Sequence, residues 1–223
     1  MAEVKVTYPA SGLVRPSDWN SDDGLKQQLK DIWKNNKGAI EFASAQSNIP
    51  KEVIVSFIAV ESGGKTYSKF QPDGAVTQGL MQWNRNHAKK QLETELSLKR
   101  LSEAEKKKLA EYKITFDSNG MTRVITNADQ KNEPLNILIG SIILGQLIDT
   151  DWGTENGEIK LERVISVYNA GAYGDTGKKA RSKAYKTPLA LANVVNNTSR
   201  LYIAKMLGKG GALDFVKQHN ILA

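Results

Sequence analysis

The chain has 223 residues, no cysteine, a quarter of its residues charged and a formal net charge of +7, which suits one large globular domain or one domain with an insertion, and excludes disulfides, thiolate metal sites and a cysteine nucleophile. His87 and His219 are the only histidines and neither stands in a nucleophile motif, so a Ser-His-Asp triad and a zinc site are disfavoured. The positive charge favours polyanions, but the basic residues are scattered apart from Lys106-Lys107-Lys108 and Lys178-Lys179 and no nucleic-acid module is visible, so nucleic acid is not the expected partner.

Residues 1–20, broken by Pro9, Gly12 and Pro16, read as an irregular lead-in. They lack the apolar core of a secretory signal, and no later stretch approaches a membrane span. Residues 21–223 read as one domain. Ser21 suits an N-cap, and Leu25, Leu29, Ile32 and Trp33 repeat on one helical face. Asn35, Asn36 and Gly38 predict an interruption before a second short helix through Ile40 and Ala43.

From Pro50 the run Val53 to Val60 is apolar nearly all round, which predicts a buried helix. It ends in Glu61-Ser62-Gly63-Gly64, whose glycines suit a left-handed C-cap. Residues 88–132 differ in character: rich in Lys and Glu, with a capping-box pattern from Ser102 to Glu105 and a β-hairpin signal around Asp117-Ser118-Asn119-Gly120, flanked by Ile114-Thr115-Phe116 and Arg123-Val124-Ile125. They read as an inserted charged lobe, whose lysines 106–108 could meet anionic cell-wall polymers or merely form a solvated face. Helical spacing returns at Leu135 to Ile148, where Gly140 and Gly145 permit close approach, at Leu161 to Tyr168, and in a final helix from Ser199 to Leu207. The fold expected is mainly α.

Glu61 carries the strongest chemical signal. Ile58, Phe57 and Ile54 precede it at i−3, i−4 and i−7, which places a carboxyl on the buried face. Burial and the negative end of the helix dipole both disfavour its charged form, raising its pKa as a general acid at neutral pH requires. A carboxylate there could equally satisfy a buried donor, and the motifs around it decide the reading.

Glu61-Ser62-Gly63, Gly79-Leu80-Met81-Gln82 and Tyr168-Asn169-Ala170-Gly171 follow one another at helix ends or turns. In that order they resemble the catalytic domain of soluble lytic transglycosylases and the related goose-type lysozymes, over roughly residues 45–88 and 134–207. The resemblance extends to Tyr202-Ile203-Ala204-Lys205-Met206-Leu207 as a closing helix. It implies a lysozyme-like α+β domain, with the hairpin in the inserted lobe, that cleaves the MurNAc–GlcNAc bond of peptidoglycan without metal or organic cofactor.

By the same resemblance Glu61 is the acid/base and Ser62 fixes its surroundings. Gly79 lets the chain pass close to substrate, Met81 and Gln82 line the sugar groove, Tyr168 brings its hydroxyl near Glu61, and Asn169 holds the turn or a sugar substituent. Met81 and Tyr168 also fit a packed core, and Trp83 fits either a sugar platform or a lid over the core. Val76-Thr77-Gln78, Trp83-Asn84-Arg85 and Thr198 depart from the family pattern. Asp73 is the candidate second carboxylate: a muramidase would use it to position water, whereas a transglycosylase needs no water. A component that binds glycan without cleaving it is the reading from a different class, and the intact Glu61 argues against it. The absence of a visible signal implies delivery to the periplasm or cell wall by a phage virion, by lysis or by a dedicated secretion system.

Overall fold

The computed structural model describes residues 5–6, 8–66 and 77–223. Asp73 therefore lies outside the described residues. A two-residue strand, β1 (Lys5–Val6), precedes the long helix α1 (Asp22–Ser47). Ser21 caps α1 by accepting the Gly24 N–H at 3.1 Å, and Asp22 and Asp23 add favourable charge to its first turn. The predicted interruption does not occur. Asn36, Ile40 and Ala43 continue the buried face begun by Leu25, Leu29, Ile32 and Trp33, and tertiary packing of that face outweighs a glycine cost of about 1 kcal/mol.

Helix α2 (Lys51–Ser62) follows, with Val53 to Val60 all buried. Gly63 ends it in the left-handed region at φ 67°, its N–H bonded to Ala59. Then come β2 (Thr77–Gln78), β3 (Trp83–Asn84), α3 (Arg85–Ser97), α4 (Glu103–Glu111), β4 (Phe116–Asp117), β5 (Gly120–Met121) and α5 (Asn127–Lys131). Strands β2 and β3 pair antiparallel around the Gly79–Gln82 turn. The capping box forms, with Glu105 accepting from Ser102 N at 2.7 Å and Ser102 Oγ accepting from Glu105 N at 3.1 Å.

The β4–β5 hairpin is shorter than its flanking sequence suggests, pairing Phe116 with Met121 and Asp117 with Gly120. Arg123 leaves the ladder because its guanidinium meets Asp129 through two contacts of 2.7 Å and also donates to the carbonyls of Tyr112 and Lys113. Leu92, Leu101, Leu109, Ile114, Met121 and Ile125 are buried in this part of the chain. Within the lysine run, Lys106 and Lys108 pair with Glu103 and Glu111 on their own helix, so most of its charge is already engaged locally.

The second half comprises α6 (Glu133–Ile148), β6 (Thr154–Glu155), β7 (Glu158–Ile159), α7 (Leu161–Ala170), α8 (Asp175–Arg181), α9 (Pro188–Ala192), α10 (Asn197–Leu207) and α11 (Ala212–Gln218). The last of these corrects the expected end of the helical chain at Leu207: beyond Gly210 and Gly211, Ala212 to Val216 bury a further helix. Helix α1 packs on α2 and α6, α2 is also contacted by α10 and α11, and α7 lies against α6 and α10. Gly145 faces Ser47 of α1, whereas a side chain at Gly140 would collide with Met81.

The described residues of the lead-in are irregular apart from β1 and one bridge at Val14, and they are tied to the second half of the chain. β1 pairs parallel to β7 and antiparallel β6 completes a three-stranded sheet. Ala10 N donates to Leu207 O at 2.7 Å, and Lys209 N donates to Leu13 O at 2.9 Å. No described helix is long and apolar enough to cross a membrane.

Candidate active site

The last turn of α2 delivers Glu61 to the junction with α10. Ile54 and Ile58 are fully buried and Phe57 is nearly so, while Glu61 itself is half-buried. Although the residue keeps some exposed surface, its carboxyl lies deep among protein atoms. Desolvation pushes its pKa from 4.5 up to about 8, opposed in part by a hydrogen bond from the Tyr202 hydroxyl. The carboxyl is therefore largely protonated at neutral pH, poised to give up a proton and later recover one.

Two phenols surround it. Tyr202 is raised by burial and then by the charge and hydrogen bond of Glu61; Tyr168 is raised well above its ordinary value by burial and by the Glu61 charge. Both stay as neutral donors. The Tyr168 ring meets Phe57 edge-on, with centroids 4.7 Å apart, and its hydroxyl donates to the Met81 carbonyl at 2.7 Å. Ser62 ties off the helix, donating to Ile58 O at 3.1 Å and accepting from Gly64 N at 3.2 Å. Asn169 accepts from Ser199 Oγ at 3.3 Å, which links the end of α7 to α10.

The Gly79–Gln82 turn packs closely against the core. Gly79 adopts φ 87°, and a Cβ there would come 2.1 Å from the Asn136 amide nitrogen and 2.3 Å from the Gln130 carbonyl. Packing against α5 and α6 therefore requires a glycine here whatever it does for substrate. Met81 is fully buried and its thioether sits against Gly140, so its side chain packs in the core. Gln82, half-buried at φ 49°, donates from its side-chain amide to Gly79 O at 2.6 Å. Trp83 is nearly fully buried and donates its indole N–H to Asn136 O at 3.0 Å, which makes it a lid over the core.

Tyr202 and Asn136 are the residues that motif reading missed. Tyr202 belongs to the closing-helix segment, but only the folded chain reveals its contact with Glu61. Asn136 betrays itself as a polar residue inside a mostly apolar helix. A cavity of about 500 Å³ opens at the opposite end of α7, beside Ser11, Glu162 and Thr187, away from these groups.

Replacing Tyr202 with Phe removes a donor that favours the charged form of Glu61, so the pKa of Glu61 should rise further above its present value. A carbon-13 NMR titration of the Glu61 carboxyl checks this. An unchanged midpoint would mean that the two groups are not coupled.

No protein-family model and no curated protein sequence matches the chain. Its fold is similar to that of the lytic transglycosylase Slt from Pseudomonas aeruginosa, solved as an inactive Glu-to-Gln mutant, with a TM-score of 0.54 at 13% sequence identity. The match covers 84% of this chain and 25% of that one, so this chain spans about a quarter of that protein. The class defined is a mainly α, lysozyme-like fold with small β-hairpins.

Proposed function

We propose that this chain is a lytic transglycosylase acting on peptidoglycan in the periplasm or cell wall, cleaving the β-1,4 bond between MurNAc and GlcNAc. One observation carries the reading: Glu61, at the end of a buried helix, is held protonated up to about pH 8 while the Tyr202 hydroxyl stands ready to stabilise its carboxylate. The protonated carboxyl gives its proton to the glycosidic oxygen as that bond breaks. The resulting carboxylate then takes the proton of the muramyl 6-hydroxyl as its oxygen attacks the anomeric carbon and closes a 1,6-anhydro ring. Glu61 ends as it began, and no water is consumed. The fold likeness supports the assignment, since that transglycosylase was solved as an inactive Glu-to-Gln mutant.

Mass spectrometry of products from purified peptidoglycan tests the reaction, because anhydro and reducing muramyl ends differ by one water. Anhydro ends are expected. Asp73→Asn should leave the rate and the products largely unchanged. A fall of about a hundredfold together with reducing ends from the wild type would replace the transglycosylase with a muramidase that needs a second carboxylate.

A further inference from the structure

We infer that Lys205, seated between the rings of Trp19 and Tyr202, the latter bonded to Glu61, binds a carboxylate carried by the muramyl residue of the glycan and so reads which sugar stands next to the scissile bond. The inference rests on the glycan-cleaving reading of Glu61. Lys205 Nζ lies 5.5 Å from the centroid of Trp19 and 5.8 Å from that of Tyr202. The hydroxyl of the same Tyr202 ring bonds Glu61, so one phenol is the neighbour of both the ammonium and the acid.

Carboxylate partners raise the pKa of Lys108 and Lys179, whereas that of Lys205 is lowered by burial. Lys108, Lys160, Lys179 and Lys183 each have a carboxylate within 2.9 Å. Lys205 has no ion pair among the described residues; Asp18 exerts only a charge effect on it, and burial pulls its pKa down. Its three N–H donors are partly stripped of water, and the aromatic faces stabilise the charge without accepting a conventional hydrogen bond. An incoming carboxylate would supply what the site lacks, in surroundings where a charge-assisted bond is stronger than in water.

Trp19 reaches this position through the lead-in. Its N–H closes a turn onto Pro16 O at 3.2 Å, and the preceding segment is fastened to the end of α10 by the Ala10–Leu207 and Leu13–Lys209 hydrogen bonds. The docked segment thus holds the Trp19 ring against Lys205 of α10. MurNAc differs from GlcNAc by its 3-O-lactyl ether, whose carboxyl is free in peptide-stripped strands and amide-linked in peptide-bearing ones, where the stem peptide carries carboxylates of its own. A cation at this wall distinguishes the two sugars by that substituent.

Calorimetric binding to the Glu61→Gln form of the whole 223-residue chain, alone and combined with Lys205→Gln or Lys205→Arg, tests the inference on three ligands: peptide-bearing strands, enzymatically denuded strands, and denuded strands whose carboxyls are converted to neutral amides. With Lys205 present, amidation should weaken binding about tenfold. Lys205→Arg, which keeps the charge, should keep that discrimination, whereas Lys205→Gln should abolish it. A preference for peptide-bearing over denuded strands that Lys205→Gln removes would instead place the carboxylate on the stem peptide. Indifference of the Lys205 protein to both amidation and the peptide, or equal discrimination by a natively folded Lys205→Gln variant, would overturn the inference. Cleavage by the otherwise unaltered protein is assayed in parallel. Carboxylate-dependent binding without cleavage would remove the proposed activity alone, and cleavage without carboxylate-dependent binding would remove the role of Lys205 alone.

Discussion

Glu61→Gln should reduce release of soluble muropeptides from sacculi by about a thousandfold or more, because the amide keeps the shape of the carboxyl but can neither give nor recover the proton. The same substitution carries a thermodynamic signature. The pKa of Glu61 in the folded chain is raised from 4.5 to about 8, so between those values the folded state holds the proton that the unfolded state has released. Stability of the wild type therefore falls as pH rises through that window and levels off above it. The full shift corresponds to at most about 5 kcal/mol, and the partial access of water reduces this to roughly 2–3 kcal/mol.

The glutamine variant escapes that loss. It should match the wild type near pH 4 and exceed it by roughly 2–3 kcal/mol near pH 9, as denaturant melts at the two pH values would show. Retained activity in a variant with native circular dichroism would remove Glu61 from the mechanism. Equal stability of the two proteins at pH 9 would mean that the carboxyl is not held in a desolvated place.

Local pattern made α2 and its terminus legible, since apolar residues at i−3, i−4 and i−7 place Glu61 on the buried side and the Gly63 exit needs a left-handed backbone. The same logic failed where a distant partner decides the outcome. Asn36 and Gly38 look like a helix break until the packed neighbours of α1 reward its continuation. Spacing could not show that Gly79 is also required by Asn136 and Gln130, which pack against it. Tyr202 meets Glu61 only because α10 crosses the end of α2, a contact that no helical spacing encodes.

Asn136→Leu should be among the most damaging single changes away from Glu61, although it replaces a polar residue with an apolar one inside an apolar helix. Asn136 is fully buried. Its Oδ1 accepts the Met81 N–H at 2.8 Å, and its amide donates to Gln130 O at 3.0 Å and to Gln78 O at 3.3 Å. One side chain thus satisfies three backbone groups of the segments that form and border the Gly79–Gln82 turn, and leucine would leave all three without that partner in the core. A lost buried hydrogen bond costs about 1–3 kcal/mol, so a total of roughly 3–5 kcal/mol is expected for the three after relaxation. For a chain of this size the melting temperature should fall by about 10 °C. Ser141→Ala supplies the contrast, since Ser141 Oγ offers Met81 only a long 3.9 Å contact to sulfur, and its loss should cost under about 1 kcal/mol. Because Tyr168 is anchored on the Met81 carbonyl, loosening the turn should also broaden the Tyr168 hydroxyl and ring signals in NMR spectra of folded Asn136→Leu protein. A variant that melts within about 2 °C of the wild type, with those signals unchanged, would show that the turn holds its shape without Asn136.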